Sequence, residues 1–240
     1  MSIIVFQHGD QATFGRLGAT LRDHGHRLDV RRVDRDPESI PTDFDDVSGV
    51  ISLGGSQNVD EPHAWMRPEL DFIRGAHERE LPVIGVCLGA QLIAKALGGT
   101  VEKMPEPEVG FVRVDVTVPG QTDAMLAGVP WTHRAFQFHS CAITKAPAGA
   151  AVLASSEDAP VQIFSAGLRT YGFQMHFEAD RKIISGLCEA DSQALVAAKK
   201  TRQVVEVEAD EHYERSALIA GRLCVNLATL CFPFERMLAS

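Results

Sequence analysis

Residues 82–91 read Pro-Val-Ile-Gly-Val-Cys-Leu-Gly-Ala-Gln. The apolar residues before Cys87 predict a buried β-strand, and those after it predict a helix. Glycine stands two residues before the cysteine and two after it, at Gly85 and Gly89, where any side chain would crowd a sharp turn from strand to helix. This pattern is typical of a nucleophile elbow, in which the helix N-terminus favours the thiolate of the exposed cysteine. A core cysteine is the alternative, but it does not explain the spacing of the glycines, so Cys87 is predicted to be a nucleophile.

The composition limits the class of protein and its partners. The chain has 240 residues, which suits one α/β domain or one domain with an extension. Its 32 acidic and 23 basic residues give a formal net charge of −9, which argues against nucleic acid or an anionic membrane as the main partner. It contains no apolar run of roughly 18 residues and no signal-peptide pattern, so no membrane span is expected. Five cysteines without CxxC spacing indicate a reduced, cytoplasmic protein without a zinc or other metal site.

Strands and helices alternate through the first half of the chain. The predicted strands cover 3–6, 28–33, 47–53 and 83–86, and the predicted helices cover 13–24 and 64–80. This alternation indicates βαβ units and an α/β fold with a mostly parallel central sheet and flanking helices. Because ligands bind at the carboxyl ends of such strands, we expect Gly9, Gly54-Gly55 and Cys87 to converge on one site.

The second half changes character after about residue 108. Further strands are predicted at 109–118, 131–139, 151–155, 161–165 and 171–177, and their short connections predict a small antiparallel portion. Helices are predicted at 179–200 and 204–230. We interpret 1–190 as one domain and 191–240 as a C-terminal helical extension packed on it. A homodimer interface formed by the extension, including Phe232-Pro233-Phe234, is the alternative.

A cysteine nucleophile needs a base and a group that orients the base. His176 and Glu178 lie two residues apart at the end of a predicted strand, where their side chains share one face. Glu178 can accept one imidazole N–H and leave the other ring nitrogen for Cys87. His-x-Glu alone is a weak signal and fits a surface histidine beside a helix start. After an elbow cysteine it predicts a triad of Cys87, His176 and Glu178.

The same chemistry needs backbone donors for a developing oxyanion. We predict that the N–H groups of Leu88 and Gly55 form this oxyanion hole, since Gly55 allows a close backbone approach. Gly54 and Gln91 are candidates for substrate binding, the alternatives being a plain turn at Gly54-Gly55 and a local cap at Gln91.

Histidine is the residue type best suited to further roles in the pocket. His8 and His139 follow or end predicted strands, and both are candidates for lining the site; His139 is predicted to bind substrate. The remaining histidines are interpreted as surface residues: His24, His26, His63, His77, His133 and His212.

Three motifs resemble those of the class I (triad-type) glutamine amidotransferases. Residues 85–91 resemble the family's nucleophile motif, residues 176–178 its His-x-Glu motif, and residues 52–55 its oxyanion-strand turn. Their order also agrees, and the resemblance covers roughly residues 1–190. It is closest to the free-standing branch similar to the glutaminase domain of GMP synthase. The chain departs from the family at Ser56, where proline often follows the two glycines.

The resemblance implies a flavodoxin-like fold and hydrolysis of the glutamine side-chain amide. Cys87 would form a γ-glutamyl thioester, His176 would carry the proton, and no metal or organic cofactor would be needed. Ammonia would pass to a synthetase. Because nothing after Phe177 resembles a nucleotide-binding loop, we expect a synthetase partner protein, or water or an amine as the acceptor.

Other functions remain open on this evidence. A γ-glutamyl peptide or γ-glutamyl amine hydrolase or transferase would use the same triad with a different leaving group. A non-catalytic regulatory protein would retain the fold, although the complete triad argues against it. A cysteine protease acting on polypeptides is less favoured.

Overall fold

The computed structural model describes residues 1–232 of the chain, and within them nine strands form one sheet. The strands are β1 (Ser2–Gln7), β2 (Leu28–Arg32), β3 (Val47–Ser52), β4 (Val83–Val86), β5 (Thr100–Val116), β6 (Thr132–Lys145), β7 (Ala151–Ser155), β8 (Ile163–Ala166) and β9 (Thr170–Phe173). The helices are α1 (Gly15–Asp23), α2 (Met66–Glu78), α3 (Leu88–Ala96), α4 (Val118–Thr122), α5 (Arg181–Ala190), α6 (Ser192–Ala197) and α7 (Arg202–Asn226), which continues into a π-helical turn at Leu227–Cys231.

The sheet has a parallel half and an antiparallel half, in the order β2-β1-β3-β4-β9-β8-β7-β5-β6. Strands β1 to β4 and β9 pair in parallel, whereas β5 to β8 join through antiparallel pairs and β8 connects them to β9. The predicted α/β fold with central parallel strands and an antiparallel portion is confirmed. The carboxyl ends of β1, β3 and β4 lie at the same edge of the sheet, as the parallel pairing requires.

The long hairpin of β5 and β6 extends beyond the predicted strands. Strand β5 has 17 residues and begins at Thr100 rather than at 109. Its first part carries exposed charged residues, so it lacks the alternation that marks a half-buried strand. The pairing with β6, shifted in register between Lys103 and Glu108, fixes this part as a strand.

Helices cover both faces of the sheet. One hydrophobic cluster contains Leu17 of α1 and Leu223 of α7, and a second contains Ile73 of α2 and Leu92 of α3. Each helix turns its apolar residues towards the strands, which are mostly buried in the parallel half. The parallel strands are thereby held between two layers of helices.

The C-terminal helices differ from the sequence prediction in one respect. The single helix predicted at 179–200 is interrupted at Asp191, whose carboxylate accepts the Ala194 N–H and begins α6. Helix α7 then buries Leu223 and Cys224 in the same cluster as α1. Phe232 is buried, whereas Pro233 and Phe234 of the predicted dimer segment lie outside the described residues. The division at residue 190 and the homodimer therefore stay predictions.

A transmembrane helix must be both long and apolar throughout. None of the helices within residues 1–232 combines that length with that apolar character.

Candidate active site

Cys87 occupies the sharp turn between β4 and α3, with backbone angles φ 50° and ψ −109°. A positive φ strains the backbone of a residue that has a Cβ, and such strain persists only where the surrounding structure holds the residue in place. Two hydrogen bonds do so here: the Cys87 N–H donates to the Phe173 carbonyl at 2.8 Å, and its carbonyl accepts the Gln91 N–H at 3.1 Å. The predicted elbow geometry is present.

The two glycines that flank Cys87 are required by contacts across the turn. A Cβ at Gly85 would lie 2.5 Å from the Gly89 carbonyl oxygen, and a Cβ at Gly89 would overlap the carbonyl group of Ser52 at the end of β3. The elbow therefore packs directly against the strand that leads to the Gly54-Gly55 turn. The sequence spacing reflects this close approach.

His176 and Glu178 are paired, but on a loop instead of a strand. Strand β9 ends at Phe173, so the prediction of a strand to 177 is wrong. The backbone leaves the sheet because the His176 N–H donates to the Phe136 carbonyl of β6 at 2.9 Å. His176 Nδ1 still lies 2.8 Å from Glu178 Oε1, and both side chains are buried.

The charge on His176 is set by its neighbours. Burial lowers the pKa of this imidazole, but the Glu178 carboxylate, hydrogen-bonded to the ring, and the nearby Cys87 sulfur outweigh burial and raise the pKa well above 6.5. Because Nδ1 is held by Glu178, the other ring nitrogen is left for Cys87. An imidazolium beside a thiol favours the thiolate.

Gly54 and Gly55 lie beside these groups, just beyond the end of β3. A Cβ at Gly54 would be 3.2 Å from His176 Cε1 and 3.6 Å from the Cys87 Cβ. Within residues 1–232, no backbone carbonyl accepts the N–H of Gly55 or of Leu88. Two backbone N–H groups beside the cysteine therefore have no backbone acceptor in the part of the chain that the structure describes.

A cavity of about 310 Å³ brings these elements together. Its lining includes Cys87, His176, Glu178, Leu88 and the Gly54-Gly55 turn, which is the convergence that the parallel topology predicts. One wall comes from α5 and α6 and presents the apolar side chains of Ile183, Leu187, Ala190 and Ala194, with Asp191 between the two helices. Such a cavity has the size of a small-molecule site.

The candidates Gln91 and His139 line the cavity but are also bound to protein groups. Gln91 Nε2 donates to the Cys141 carbonyl at 2.8 Å, and His139 Nδ1 donates to the same oxygen at 2.9 Å. His139 Nε2 lies 3.0 Å from Glu108 Oε2. Both side chains thus brace the cavity wall, and their contact with substrate stays a prediction.

Sequence reasoning missed the role of Glu108. It stands in a charged stretch that predicts an exposed segment, yet it is buried under the cavity and also accepts hydrogen bonds from Ser156 and from Gln162 Nε2, the latter at 2.6 Å. Burial raises the pKa of its carboxyl, but the adjacent His139 ring and the hydrogen bonds from Ser156 and Gln162 outweigh burial and bring the pKa below 4.5. No local pattern distinguishes it from the exposed acids around it.

His8 does not line the cavity, although it follows β1 directly. Its ring is buried behind the Gly54-Gly55 turn, where Nε2 lies 2.8 Å from Glu69 Oε2. His26 and His133, interpreted as surface residues, are buried as well, and burial lowers the pKa of both. Glu69 carries a signal in hindsight, because it lies on the face of α2 that buries Ile73 four residues later.

No cluster within residues 1–232 brings together three or more His, Cys, Asp or Glu side chains that could hold a metal ion. The residues around Cys87 provide a sulfur, an imidazole with its carboxylate and backbone N–H groups. This set matches acyl transfer through a cysteine.

Comparison with known proteins identifies the family of the chain. The family model described as glutamine amidotransferase class-I matches residues 9–183. The chain is 32% identical over 205 residues to a glutamine amidotransferase-like protein, YfeJ, of Salmonella typhimurium, and the match covers 81% of this chain and 84% of YfeJ. It is also 32% identical over 143 residues to one of the subunits of a glutamine-hydrolyzing GMP synthase from Sulfolobus acidocaldarius, and that match covers 59% of this chain and 73% of the relative.

The length of the match differs among relatives. Matches to the longer proteins named as glutamine-hydrolyzing GMP synthase, without a subunit designation, span only 24% to 33% of the length of those proteins. Among solved structures, a glutamine amidotransferase from Methylobacillus flagellatus superimposes with a TM-score of 0.83 at 28% identity, covering 95% of this chain and 93% of that one. The fold is thus similar to that of a solved chain of comparable length.

Proposed function

Because the chain belongs to the class-I glutamine amidotransferase family, we propose that it hydrolyses the side-chain amide of glutamine through a thioester on Cys87. The observation that carries the proposal is the strained Cys87 turn in the same cavity as the buried His176–Glu178 pair. A non-catalytic protein of this fold would have no need to maintain either the strain or the buried charges.

The reaction follows from the groups present. The Cys87 thiolate attacks the carboxamide carbon, and the His176 imidazolium gives its proton to the departing ammonia as the C–N bond breaks. A γ-glutamyl thioester remains. His176 then takes a proton from water, the hydroxide attacks the thioester, and breakage of the C–S bond releases glutamate and the thiolate. Glu178 keeps the His176 ring oriented throughout.

The tetrahedral intermediate carries a negative oxygen that needs donors. The N–H groups of Gly55 and Leu88 are the candidates, because both residues line the cavity and no backbone carbonyl of the described residues accepts from them. Donors that are fixed before the reaction contribute roughly 10²- to 10³-fold each in related chemistry. Gly54, Gln91 and His139 are proposed to contact the substrate around them.

A second candidate substrate class is favoured by one observation. The apolar wall formed by Ile183, Leu187 and neighbouring residues of α5 and α6 faces the cavity, although ammonia as a leaving group needs no apolar surface. A γ-glutamyl peptide or γ-glutamyl amine would place its leaving group against such a wall and would form the same thioester.

The fate of the ammonia and the location of the protein are further proposals. A relative that is named as one part of a multi-chain GMP synthase supports a synthetase partner protein, although water or an amine could serve as the acceptor. The five free cysteines within residues 1–232 support a reduced, cytoplasmic location.

The test is release of ammonia and glutamate from glutamine by the wild-type protein and by Cys87→Ala, with γ-glutamyl peptides in parallel. We expect the wild type to be active and the activity of Cys87→Ala to be lower by at least about 10³-fold. Cys188→Ala is the matched control: this thiol lies in α5 outside the cavity lining, and burial raises its pKa to about 11. Turnover of γ-glutamyl peptides without turnover of glutamine would favour the second candidate substrate class. If Cys87→Ala were as active as the wild type, both candidate functions would be refuted.

A further inference from the structure

A second histidine–carboxylate pair lies directly behind the Gly54-Gly55 turn. The side chains of His8 and Glu69 are fully buried, and His8 Nε2 is 2.8 Å from Glu69 Oε2. The other carboxylate oxygen of Glu69 accepts the Ser52 hydroxyl at 2.6 Å. The mechanism proposed above uses none of these three side chains, yet a buried charged pair is costly unless it is fully hydrogen-bonded.

The ring of His8 touches only acceptors. Nδ1 lies 3.1 Å from the Leu53 carbonyl oxygen and 3.2 Å from the Gly54 carbonyl oxygen, while Nε2 faces Glu69. Because a Glu69 carboxylate can only accept, both ring nitrogens carry protons in these contacts when Glu69 is ionised, and the ring is then an imidazolium balanced by the carboxylate. Burial lowers the pKa of His8, but Glu69 and the two carbonyls outweigh it, so the net direction is upward.

The carbonyl of Gly54 and the N–H of Gly55 belong to one peptide group. A trans peptide is planar and its C=O and N–H point in opposite directions. When His8 holds the Gly54 oxygen on one side, the Gly55 N–H is directed to the other side, away from His8, and Gly55 lines the cavity that contains Cys87. The orientation of the proposed oxyanion donor thus depends on His8.

The same ring ties the turn to the elbow. The Leu53 carbonyl accepts His8 Nδ1 and also the Gly89 N–H at 3.1 Å, and Gly89 follows Cys87 by two residues. Packing against Trp65, with ring centroids 4.6 Å apart, and a hydrogen bond from Gln57 Nε2 to the His8 carbonyl at 3.0 Å hold His8 in place. The spacing between the turn and the nucleophile is therefore fixed by short, buried contacts.

The charge of His8 has an effect on the Gly54–Gly55 peptide in addition to orienting it. A hydrogen bond from a cation to a carbonyl oxygen polarises the peptide group and makes its N–H a stronger donor, most of all where water is excluded. We propose that His8, kept charged by Glu69, is a positioning residue that orients and polarises the Gly54–Gly55 peptide so that its N–H stabilises the oxyanion. The inference rests on the proposed function only in requiring a tetrahedral intermediate on Cys87.

Two reactions of Cys87 separate this role from a merely structural one. Acylation by p-nitrophenyl acetate passes through a tetrahedral oxyanion, whereas alkylation by iodoacetamide does not. The rates of both are measured at Cys87 by mass spectrometry of its peptide, in the full chain, and the ratio of acylation to alkylation is the readout. The ratio does not depend on which amide the protein hydrolyses.

Two substitutions of His8 form a matched pair. His8→Asn places an amide near the position of Nδ1 and can still donate to the Gly54 carbonyl, whereas His8→Gln places it near Nε2 and leaves that carbonyl without a donor. We expect the ratio to fall roughly 10²-fold in His8→Gln and less than about tenfold in His8→Asn. The ratio for Glu69→Gln, which keeps the shape of the side chain and removes its charge, should lie between the ratios of these two variants. Glu69→Gln also provides the test if His8→Gln does not fold. His26→Asn removes another buried histidine, one bound to the Ala228 carbonyl, and should keep the wild-type ratio.

The outcomes are distinct. An unchanged ratio in His8→Gln, or an equal loss of both reactions, would overturn the positioning role, as would a wild type that is not acylated at all. A lowered ratio in a protein that hydrolyses no glutamine would support the positioning role while refuting the proposed substrate. Glutamine hydrolysis with an unchanged ratio would refute only the role of His8.

Discussion

Two buried histidine–carboxylate pairs lie on either side of the Gly54-Gly55 turn, and they use their ring nitrogens differently. His176 gives one nitrogen to Glu178 and keeps the other for Cys87. His8 gives one nitrogen to Glu69 and the other to two backbone carbonyls. The first ring has a position at which a proton can be exchanged with a substrate, and the second has none.

The difference comes from the position of each pair in the fold. Glu178 follows His176 by two residues on a loop that opens into the cavity, and the two side chains remain 6% and 4% exposed. Glu69 comes from α2, 61 residues away from His8, and both side chains are completely enclosed. The same two residue types are therefore proposed to serve proton transfer where the ring reaches the cavity, and backbone orientation where it does not.

The largest effect should come from breaking the open pair. Glu178→Gln removes the charge that keeps the His176 ring protonated and oriented, so kcat should fall by roughly 10²- to 10⁴-fold. The pKa of His176, followed by NMR, should drop from its raised value, because the attraction of Glu178 opposes burial. Glu189→Gln, an exposed carboxylate in α5, is the control and should change neither. A retained kcat would mean that Glu178 does not assist the histidine.

A smaller effect should come from separating the two pairs. Gly89→Ala introduces a methyl group that overlaps the Ser52 carbonyl, so the elbow and the end of β3 must move apart. We expect the free energy of unfolding to fall by about 1–3 kcal/mol, measured with denaturant. Gly221→Ala is the same substitution in α7, where no atom lies within 4 Å of the new Cβ, and it should stabilise by about 0.5–1 kcal/mol. If the two substitutions changed the free energy of unfolding in the same direction, the close contact between Gly89 and the Ser52 carbonyl would be refuted.

The contrast between the pairs also marks what the sequence can predict. The elbow is encoded locally, because Gly85 and Gly89 are required by contacts within and beside one turn. The convergence of Cys87 with the Gly54-Gly55 turn follows from parallel strand topology. The spacing of His176 and Glu178 predicts their pairing, but the prediction that both residues lie on a strand is wrong.

What the sequence does not reveal depends on distant partners. Strand β9 ends at Phe173 because Phe136 of another strand accepts the His176 N–H. Glu69 and Glu108 resemble surface acids until His8 and His139 are brought against them. Such pairs are set by tertiary contacts, and local periodicity, which at most places Glu69 on the buried face of α2, does not reveal the partner of either acid.

The smallest effect should appear in the pH dependence of stability, where the two pairs are expected to behave alike. A histidine with a raised pKa in the folded chain contributes stability that is fully present below the unfolded value of about 6.5 and is lost as pH rises through the folded pKa. The stability advantage of the wild type over Glu69→Gln should therefore be largest below about pH 6.5 and should shrink as the pH rises through the raised pKa of His8, by about 1.4 kcal/mol for each unit by which Glu69 raises that pKa. The stability difference between the wild type and Glu178→Gln should also shrink as the pH rises. Glu206→Gln removes a surface partner of Arg202, and its stability difference from the wild type should not change with pH in this range. If the wild-type and Glu69→Gln curves ran parallel, His8 would carry no extra proton in the folded chain, and its hydrogen bond to the Gly54 carbonyl would be that of a neutral ring.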